Sequence, residues 1–208
     1  MFSAQGIVKP KRLEFEKKSK THLYGVFTAG PFERGYGVTI GNSLRRMLLS
    51  SIEGAAIVGV QFEGIYHEFS SIPGVVEDVT EIILNLKQVH LQMAGEATTK
   101  RIYLKKDTKG KVLAQDITCD DDVKILNPGH YIATIDQNGS LNMEMIVQKG
   151  RGYVPADKQE LEDESIQMIP MDAVFSPVER VCYKVENTRV RICCCLLDRV
   201  SECCSSLL

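Results

Sequence analysis

A chain of 208 residues, 44% hydrophobic and 25% charged, has the composition of an ordinary soluble globular protein with one large or two small domains. Its formal net charge of −2 lacks the basic excess typical of proteins that bind nucleic acid unaided, because phosphate contacts dominate such binding. No apolar run approaches the roughly 20 residues that a membrane-spanning helix needs. The first twenty residues lack the apolar stretch of a secretory signal, so the cytoplasm is the expected compartment.

The first half of the chain contains two predicted strands, a hairpin and a helix. Strands are predicted within residues 1–20 and over 22–30. Residues 57–69 predict a hairpin that turns at a Glu-Gly pair. Apolar residues recur at three- and four-residue steps from Val75 to Val89, which predicts an amphipathic helix with two acidic residues in its first turn.

The second half is dominated by strand patterns. Turns are predicted at Lys109-Gly110 and at Asn138-Gly139, and the second is the stronger hairpin signal. Residues 149–167 begin with glycines and become acidic, which predicts a loop leading to a flexible segment. Strand-like alternation returns over 173–190. Grouped strands with few helices and no regular alternation predict an α+β fold rather than a doubly wound sheet.

Glycines near the N-terminal end of a helix-like run suggest a phosphate-binding loop. Gly35, Gly37 and Gly41 would form this loop in a stand-alone nucleotide-binding enzyme. However, the dinucleotide fingerprint requires G-x-G-x-x-G after an apolar strand, whereas these glycines follow Phe32-Glu33-Arg34 with a different spacing. No lysine follows the last glycine, as a Walker loop would need. A nucleotide site is therefore the less favoured alternative.

The same stretch also has the periodicity of a helix with two different faces. Arg46 and Leu49 fall away from its apolar face, and Asn42 and Arg45 flank them. A leucine beside a guanidinium is typical of a protein interface, although on the pattern alone a solvated face with one stray leucine is favoured. The apolar face itself contains Ile40, Leu44, Met47, Leu48 and Ser51.

The cysteines do not form a recognisable framework. Five of the seven lie within the last sixteen residues, as the consecutive runs Cys193–Cys195 and Cys203-Cys204. Zinc sites use C-x-x-C pairs with a spacer, and the chain ends without a C-a-a-X lipidation box. We therefore predict no metal site there, and interpret 191–208 as a divergent tail outside the fold.

Two further charged groups admit a functional interpretation that is less favoured than a structural one. Asp120, Asp121 and Asp122 could suggest Mg²⁺, but three adjacent acids in a turn are more often a solvated loop. Lys149, Arg151 and Tyr153 could touch a phosphate, whereas their acidic neighbourhood favours a partner contact or a loop. The four histidines are scattered, so we predict no catalytic residue among them.

Long segments of the chain closely resemble, in the same order, the N-terminal region of the bacterial-type RNA polymerase α subunit family. The resemblance runs from about Lys9 to Val190 and covers nearly the whole chain. The segments that carry it are PFERGYGVTIGNSLRRMLLSSIEGAAIVGVQFEGIYHEFS, GVVEDVTEIILNLK, DITCDDDVKILNPGHYIATI, VQKGRGYVPADKQ and DAVFSPVERVCYKVENTRV.

The resemblance implies a two-part fold and an assembly role without catalysis. It implies a discontinuous dimerisation subdomain over 1–55 and 173–190, with an inserted strand-rich subdomain over 56–172. Such a dimer is the platform on which the β and then the β′ subunits assemble into DNA-directed RNA polymerase, a nucleotidyltransferase complex. The resemblance also implies that Mg²⁺ and zinc belong to other subunits, that DNA is met only indirectly, and that the compartment is the bacterial cytoplasm rather than the plastid stroma.

The resemblance also assigns contact residues. Arg46 matches the key contact to β, with Leu49 and the neighbouring Arg45. Lys87 matches a position linked to β′, and Met171 lies about where a second such residue is expected. The residues expected at the dimer interface are Phe32, Ile40, Leu44, Met47 and Leu48.

The resemblance stops after Val190. Members of the family continue with a strand, a long helix that packs across the dimer, a linker and a DNA-binding domain, whereas this chain reads RICCCLLDRVSECCSSLL. A stable interface usually buries at least about 1,000 Å². Without the long helix, we expect the chain alone to be a monomer or to self-associate weakly.

Overall fold

The structure is a computed structural model that describes residues 12–15, 24–95, 97–136, 139–159, 168–190 and 193–207. For residues 12, 15, 188–190 and 193–207 it describes the backbone alone. The chain divides into two compact units, which we call the first and second units: Met1–Ile52 with Ser176–Leu208, and Glu53–Phe175.

The described residues contain two α-helices, and the remaining regular structure is strands joined by turns and two short 3₁₀ turns. The helices are α1 (Tyr36–Ser50) and α2 (Val79–Leu86). The strands are β1 (Arg12–Phe15), β2 (Tyr24–Phe32), β3 (Glu53–Phe62), β4 (Leu91–Met93), β5 (Thr99–Lys106), β6 (Gly110–Leu113), β7 (Ile117–Thr118), β8 (Val123–Ile125), β9 (Tyr131–Ile135), β10 (Leu141–Arg151), β11 (Tyr153–Val154), β12 (Ile169–Pro170), β13 (Ala173–Val174), β14 (Val178–Val190) and β15 (Cys193–Leu207). This strand-rich mixture confirms the predicted α+β class.

The first unit is a four-stranded antiparallel sheet with one helix. The strand order is β1-β2-β15-β14, so β15 lies between β2 and β14 and pairs with both. The expectation that residues 191–208 lie outside the fold is therefore not met for 193–207. Backbone pairing explains the difference, because a central position lets a strand bond on both sides whatever its unusual composition.

Helix α1 packs on this sheet through its smallest residues. Gly37 and Gly41 are its buried positions, and Gly41 meets the ring of Tyr183 on β14. The first unit has two small apolar clusters, and Tyr183 belongs to the first of them. The first contains Ala29, Phe32, Ile40, Tyr183 and Val185, and the second contains Val178, Val181, Leu48, Leu49 and Ile52.

The second unit is built on a larger antiparallel sheet. Its strand order is β7-β5-β10-β3-β4-β8, and β12 pairs with β3 at Gly59 and Val60, whereas β4 pairs with it at Ala55. The long neighbours β3 and β10 pair from Met143 opposite Phe62 to Arg151 opposite Glu53, with a bulge between Ile146 and Val147. The main apolar core lies on one face of this sheet and includes α2. A smaller cluster of Val58, Ile146, Ala173 and Phe175 forms separately.

The predicted hairpins are wrong, although the predicted turns exist where they are described. Gly64 turns with φ of 77°, but β3 pairs with β10 and β4 rather than with a returning strand. Gly110 also has a positive φ, yet β6 pairs with β9 instead of β5. Strands β9 and β10 lie in different sheets, and residues 137–138 between them fall outside the described residues. Longer-range pairing has overridden the local signals.

The second predicted helix is shorter than expected. Helix α2 begins after Asp78, and Val75 and Val76 precede it in the loop. Glu77 also lies outside the helix, where it accepts hydrogen bonds from the Tyr131 hydroxyl and from the Thr134 amide, the latter at 2.6 Å. The Glu77 carboxylate therefore holds the loop against β9, and it does not have the predicted role of an acid in the first turn of the helix. Within the described residues, no helix has the length and apolar character to cross a bilayer.

Candidate functional site

The start of α1 does not form a phosphate loop. Gly35 is the residue before the helix and has φ of 91°, and the Tyr36 amide donates to the Glu33 carbonyl at 3.0 Å. Gly37 and Gly41 lie within α1 and are buried against the sheet. Their burial allows close packing of the helix on the sheet, which gives two of the three glycines of the nucleotide-binding alternative a structural role.

Arg46 lies exposed on α1, as an interface residue requires. Among the described residues, its guanidinium has neither a hydrogen bond nor an ion pair within the chain. Its carbonyl accepts a hydrogen bond from the Ser50 hydroxyl at 2.7 Å. Arg45 is half-buried and donates to the Asn42 amide oxygen at 3.2 Å. An exposed, unpaired guanidinium keeps its full set of donors for another molecule.

Leu49 is positioned differently from the expectation of an exposed leucine beside Arg46. It is half-buried and packs with Leu48 and Ile52 against Val178 and Val181 of β14. The predicted apolar face includes Ile40 and Leu44, whereas the buried residues of α1 are Gly37 and Gly41. Residues on both sides of these two glycines therefore reach the sheet, and Leu49 is one of them.

The residues predicted for the dimer interface do not form one exposed face. Phe32 is 4% exposed, and Ile40 and Leu48 are half-buried in two different clusters of the first unit. Leu44 is half-buried, and Met47 is 60% exposed. Phe32 is thus a core residue of its own chain, and its predicted contact with a partner would need this core to open.

An apolar surface on α1 nevertheless stays open. Tyr36 is 46% exposed and Met47 is 60% exposed. They are eleven positions apart, which is close to three full turns, so they lie on the same side of the helix. Leu44, also on this side, is half-buried. The sequence predicted Met47 but not Tyr36, whose exposure depends on where the helix begins.

Lys87 lies at the C-terminal end of α2 and forms an ion pair. Its ammonium group is 2.9 Å from Asp172, and both side chains are about one-third exposed. Asp172 also accepts a hydrogen bond from the Ala156 amide at 3.0 Å. This backbone bond and the Lys87 ammonium hold the pKa of Asp172 below its ordinary range. Sequence reasoning missed Asp172, because nothing in the sequence indicates that residues 85 positions apart are neighbours.

Met171 is not at the surface. It is 1% exposed within the main core, and its amide donates to the Val58 carbonyl at 2.8 Å. Its carbonyl accepts a hydrogen bond from the Gln159 side chain at 3.0 Å. The predicted direct contact of Met171 with another subunit therefore conflicts with its burial, and Asp172 beside it is the accessible residue.

Two aromatic residues that the sequence analysis did not select are also exposed. Phe69 is 81% exposed and Tyr66 is 63% exposed, in the segment between β3 and α2. Val76 of the same segment is 68% exposed. Tyr66 and Phe69 belong to the segment that was predicted as the second strand of a hairpin. The structure has no such strand in this described segment, and these aromatic side chains are exposed.

The three adjacent acids behave as a charged turn. Lys100 lies 3.1 Å from Asp122 and 3.9 Å from Asp120. Burial, together with the charge of Asp120, raises the pKa of the neighbouring Cys119 thiol and so disfavours its metal-binding thiolate form. In the part of the chain that the structure describes, His, Cys, Asp and Glu residues form no group of three that could hold a metal ion. The side chains of the cysteine runs after residue 190 lie outside the described residues.

Comparison with known proteins identifies a family model and a similar curated protein. Residues 60–176 match the family model described as the RNA polymerase Rpb3/RpoA insert domain. Over 185 residues the chain is 55% identical to the DNA-directed RNA polymerase subunit alpha of Geobacter metallireducens. The alignment covers 88% of this chain and 54% of that protein, so the chain spans about half the length of the curated relative it matches.

Proposed function

Because the chain belongs to the RNA polymerase Rpb3/RpoA insert domain family, we propose that it acts as an α subunit of DNA-directed RNA polymerase. In this role it is a dimeric platform on which the β and β′ subunits assemble in the bacterial cytoplasm. It contributes no catalytic residue, and the Mg²⁺ and zinc of the complex belong to other subunits. DNA is contacted only indirectly by this chain.

The observation that carries the proposal is the exposed guanidinium of Arg46 in a chain 55% identical to a named α subunit. An arginine anchor combines a planar group, an apolar stem and several donors, and such residues frequently dominate interface energies. Arg46 and its neighbour Arg45 make this end of α1 cationic. We assign the β contact to Arg46 first, with Arg45 beside it.

Leu49 supports that contact mainly through the position of α1. Its side chain packs on β14, so it fixes the C-terminal turns of the helix that present Arg46. The part of Leu49 that stays accessible can still contact β. Its contribution to assembly is therefore partly through the stability of the first unit.

The β′ contact is assigned to the Lys87–Asp172 pair. Both side chains are accessible, and each can exchange its present partner for an opposite charge on another subunit. Met171 acts indirectly in this proposal. It anchors the backbone of Asp172 and tethers Gln159 from within the core.

Self-association is assigned to the open side of α1. Tyr36 and Met47 supply the exposed apolar surface, with Leu44 between them along the helix. The contributions of Ile40 and Leu48 are limited to their accessible parts. This surface is small, which supports weak self-association of the chain alone.

The proposal is tested by co-expression of the chain with a tagged bacterial β subunit. Arg46→Ala should weaken capture of β by at least about 2 kcal/mol, or roughly thirtyfold in affinity. Arg180→Ala is the matched control, because Arg180 is also exposed in the first unit but lies on β14. Urea unfolding of both variants must match the parent chain.

Equal capture of β by the parent chain and by Arg46→Ala would remove the assigned contact. Failure of the parent chain itself to capture β would contradict the assembly role. Light scattering with and without β separates self-association from assembly.

A further inference from the structure

The second unit contains a cavity of about 270 Å³ with a cationic lining. It lies beside the end of β10, where the chain turns into β11 and the 3₁₀ turn at 156–158. Its volume is below the roughly 300–1,000 Å³ typical of pockets for drug-sized molecules. The lining residues are Gln148, Lys149, Gly150, Arg151, Val154, Lys158, Gln159 and Phe175.

The charges of this lining are all of one sign. Among the described lining residues, Lys149, Arg151 and Lys158 are the charged ones, and all three are cationic. The Lys149 ammonium donates to the Gly95 carbonyl, which leaves its charge uncompensated. Arg151 forms an ion pair with Glu53, at side chains that are both more than 60% exposed. Within the described residues, Glu53 is the one carboxylate paired with these three cations, and an excess of cations produces a local positive potential.

The backbone on both sides of the cavity is held in place by the core. Gly150 lies so close to Phe175 that an added Cβ would be 2.7 Å from the ring. On the other side, Asp172 accepts the Ala156 amide, and Met171 accepts the Gln159 amide group. The cationic side chains therefore project from a fixed frame. A preorganised site loses less conformational entropy when it binds its ligand.

We propose that this cavity binds a compact phosphate oxyanion. Arginine offers a planar fork that matches phosphate geometry, and lysines add point charges. Gln148 and Gln159 add neutral polar side chains to the lining. Phe175 is 5% exposed, so the cavity offers no aromatic platform on which a base could stack. The ligand is thus recognised by its phosphate, which free pyrophosphate or a nucleic-acid backbone can supply.

The Glu53 carboxylate competes with a phosphate for the Arg151 guanidinium. This carboxylate holds the guanidinium, and a phosphate must share or replace that contact. Removing the negative charge should therefore strengthen binding. Removing a lining cation should weaken it, which gives two changes of opposite sign at one site.

The experiment titrates the full chain with inorganic pyrophosphate in low-salt buffer, followed by calorimetry and by amide chemical shifts. Lys158→Gln should weaken binding at least about fivefold, and Glu53→Gln should strengthen it by a similar factor, since each changes one unit charge near the ligand. Lys124→Gln is the matched control, because Lys124 is exposed on β8 and does not line the cavity. Shifts should concentrate at residues 148–159.

A second arm replaces pyrophosphate with a short single-stranded oligonucleotide. Binding of either ligand with the Lys158 and Glu53 dependence supports the site, and the tighter ligand identifies the source of the phosphate. Absence of binding by both ligands, or equal losses in Lys158→Gln and Lys124→Gln, overturns the proposal. None of these outcomes depends on capture of β, so the site and the assembly role are tested separately.

Discussion

Gly41 of α1 lies against the aromatic ring of Tyr183 on β14, so closely that a Cβ on Gly41 would be 2.6 Å from the Tyr183 Cδ2 atom. The helix can approach the sheet to this distance because glycine has no side chain at that point. Ile40, Leu48 and Leu49 of the same helix reach the two apolar clusters of the first unit through this approach. This pair therefore sets the position of the helix that carries Arg46.

Gly41→Ala should destabilise the first unit. Overpacking of a filled site typically costs about 1–3 kcal/mol, and the gain in helix propensity of about 1 kcal/mol offsets only part of it. Urea unfolding followed by circular dichroism measures the effect. Thr39→Ala, at an exposed position of the same helix, is the control and should not lower the unfolding midpoint. The double variant with Tyr183→Leu should recover part of the loss, and no recovery would show that the ring is not the obstacle.

Leu49 and Met47 should separate stability from association. Leu49→Ala should lower the free energy of unfolding by about 1–2 kcal/mol, less than the ~2–5 kcal/mol of a fully buried leucine, because Leu49 is half-buried. Met47→Ala should leave stability within about 0.5 kcal/mol, since Met47 is 60% exposed. Light scattering should instead show weaker self-association for Met47→Ala. The reverse result, with Met47 stabilising the monomer, would contradict the described packing.

Glu77 should make the second unit sensitive to acid. Burial raises the pKa of Glu77, but the hydrogen bonds from Tyr131 and Thr134 outweigh it and hold the pKa below the ordinary value of 4.5. A carboxylate with a lowered pKa contributes stability that is present above its unfolded pKa and is lost as the pH falls through the folded pKa. Glu77→Gln should cost about 1 kcal/mol at neutral pH.

The measurement for Glu77 is the urea unfolding midpoint between about pH 6 and about pH 3. The difference between the parent chain and Glu77→Gln should shrink as the pH falls. Glu81→Gln is the control for removal of one exposed carboxylate, because Glu81 is exposed on α2. A Glu77 difference that stays constant down to the lowest pH would contradict the assigned pKa direction.

Truncation after Val190 should unfold the first unit. The deletion removes β15, which pairs with both β2 and β14, so two strand interfaces are lost together. Amide exchange should become fast throughout β2 and β14, whereas β3 and β10 of the second unit should keep their protection. A chain ending at Ser205 is the control, since it keeps most of the β15 pairing. Full protection of β2 in the shorter chain would show that β15 is dispensable.

The sequence predicted those features that depend on local pattern. The periodicity of α1 and the core face of α2 from Val79 to Leu86 are properties of neighbouring residues. The α+β class follows from the succession of elements. The structure divides the chain at residues 52 and 176, whereas the resemblance places the subdomain limits at 55 and 173. The roles of the units in dimerisation and docking stay predictions.

The sequence did not predict features that arise from pairing over long distances. The Asn138-Gly139 signal could not show that β9 pairs with β6, because the choice of partner depends on the whole sheet. The helical periodicity placed Leu49 and Arg46 on the same exposed side, but Leu49 is partly buried because it packs in the cluster that contains Val178. The three cations of the cavity lie in an acidic neighbourhood of the sequence. The three cations line one cavity because the fold places the end of β10 beside the turn at 156–158, which the sequence does not indicate.

The middle position of β15 also fixes an order of events during synthesis. The second unit is continuous from Glu53 to Phe175, and its strands pair among themselves, so it can fold as soon as it leaves the ribosome. Strand β2 and helix α1 are translated earlier, but their sheet cannot close until residues 193–207 emerge. Strands β1 and β2 can pair early, but α1 is synthesised long before the four-stranded sheet on which it packs is complete.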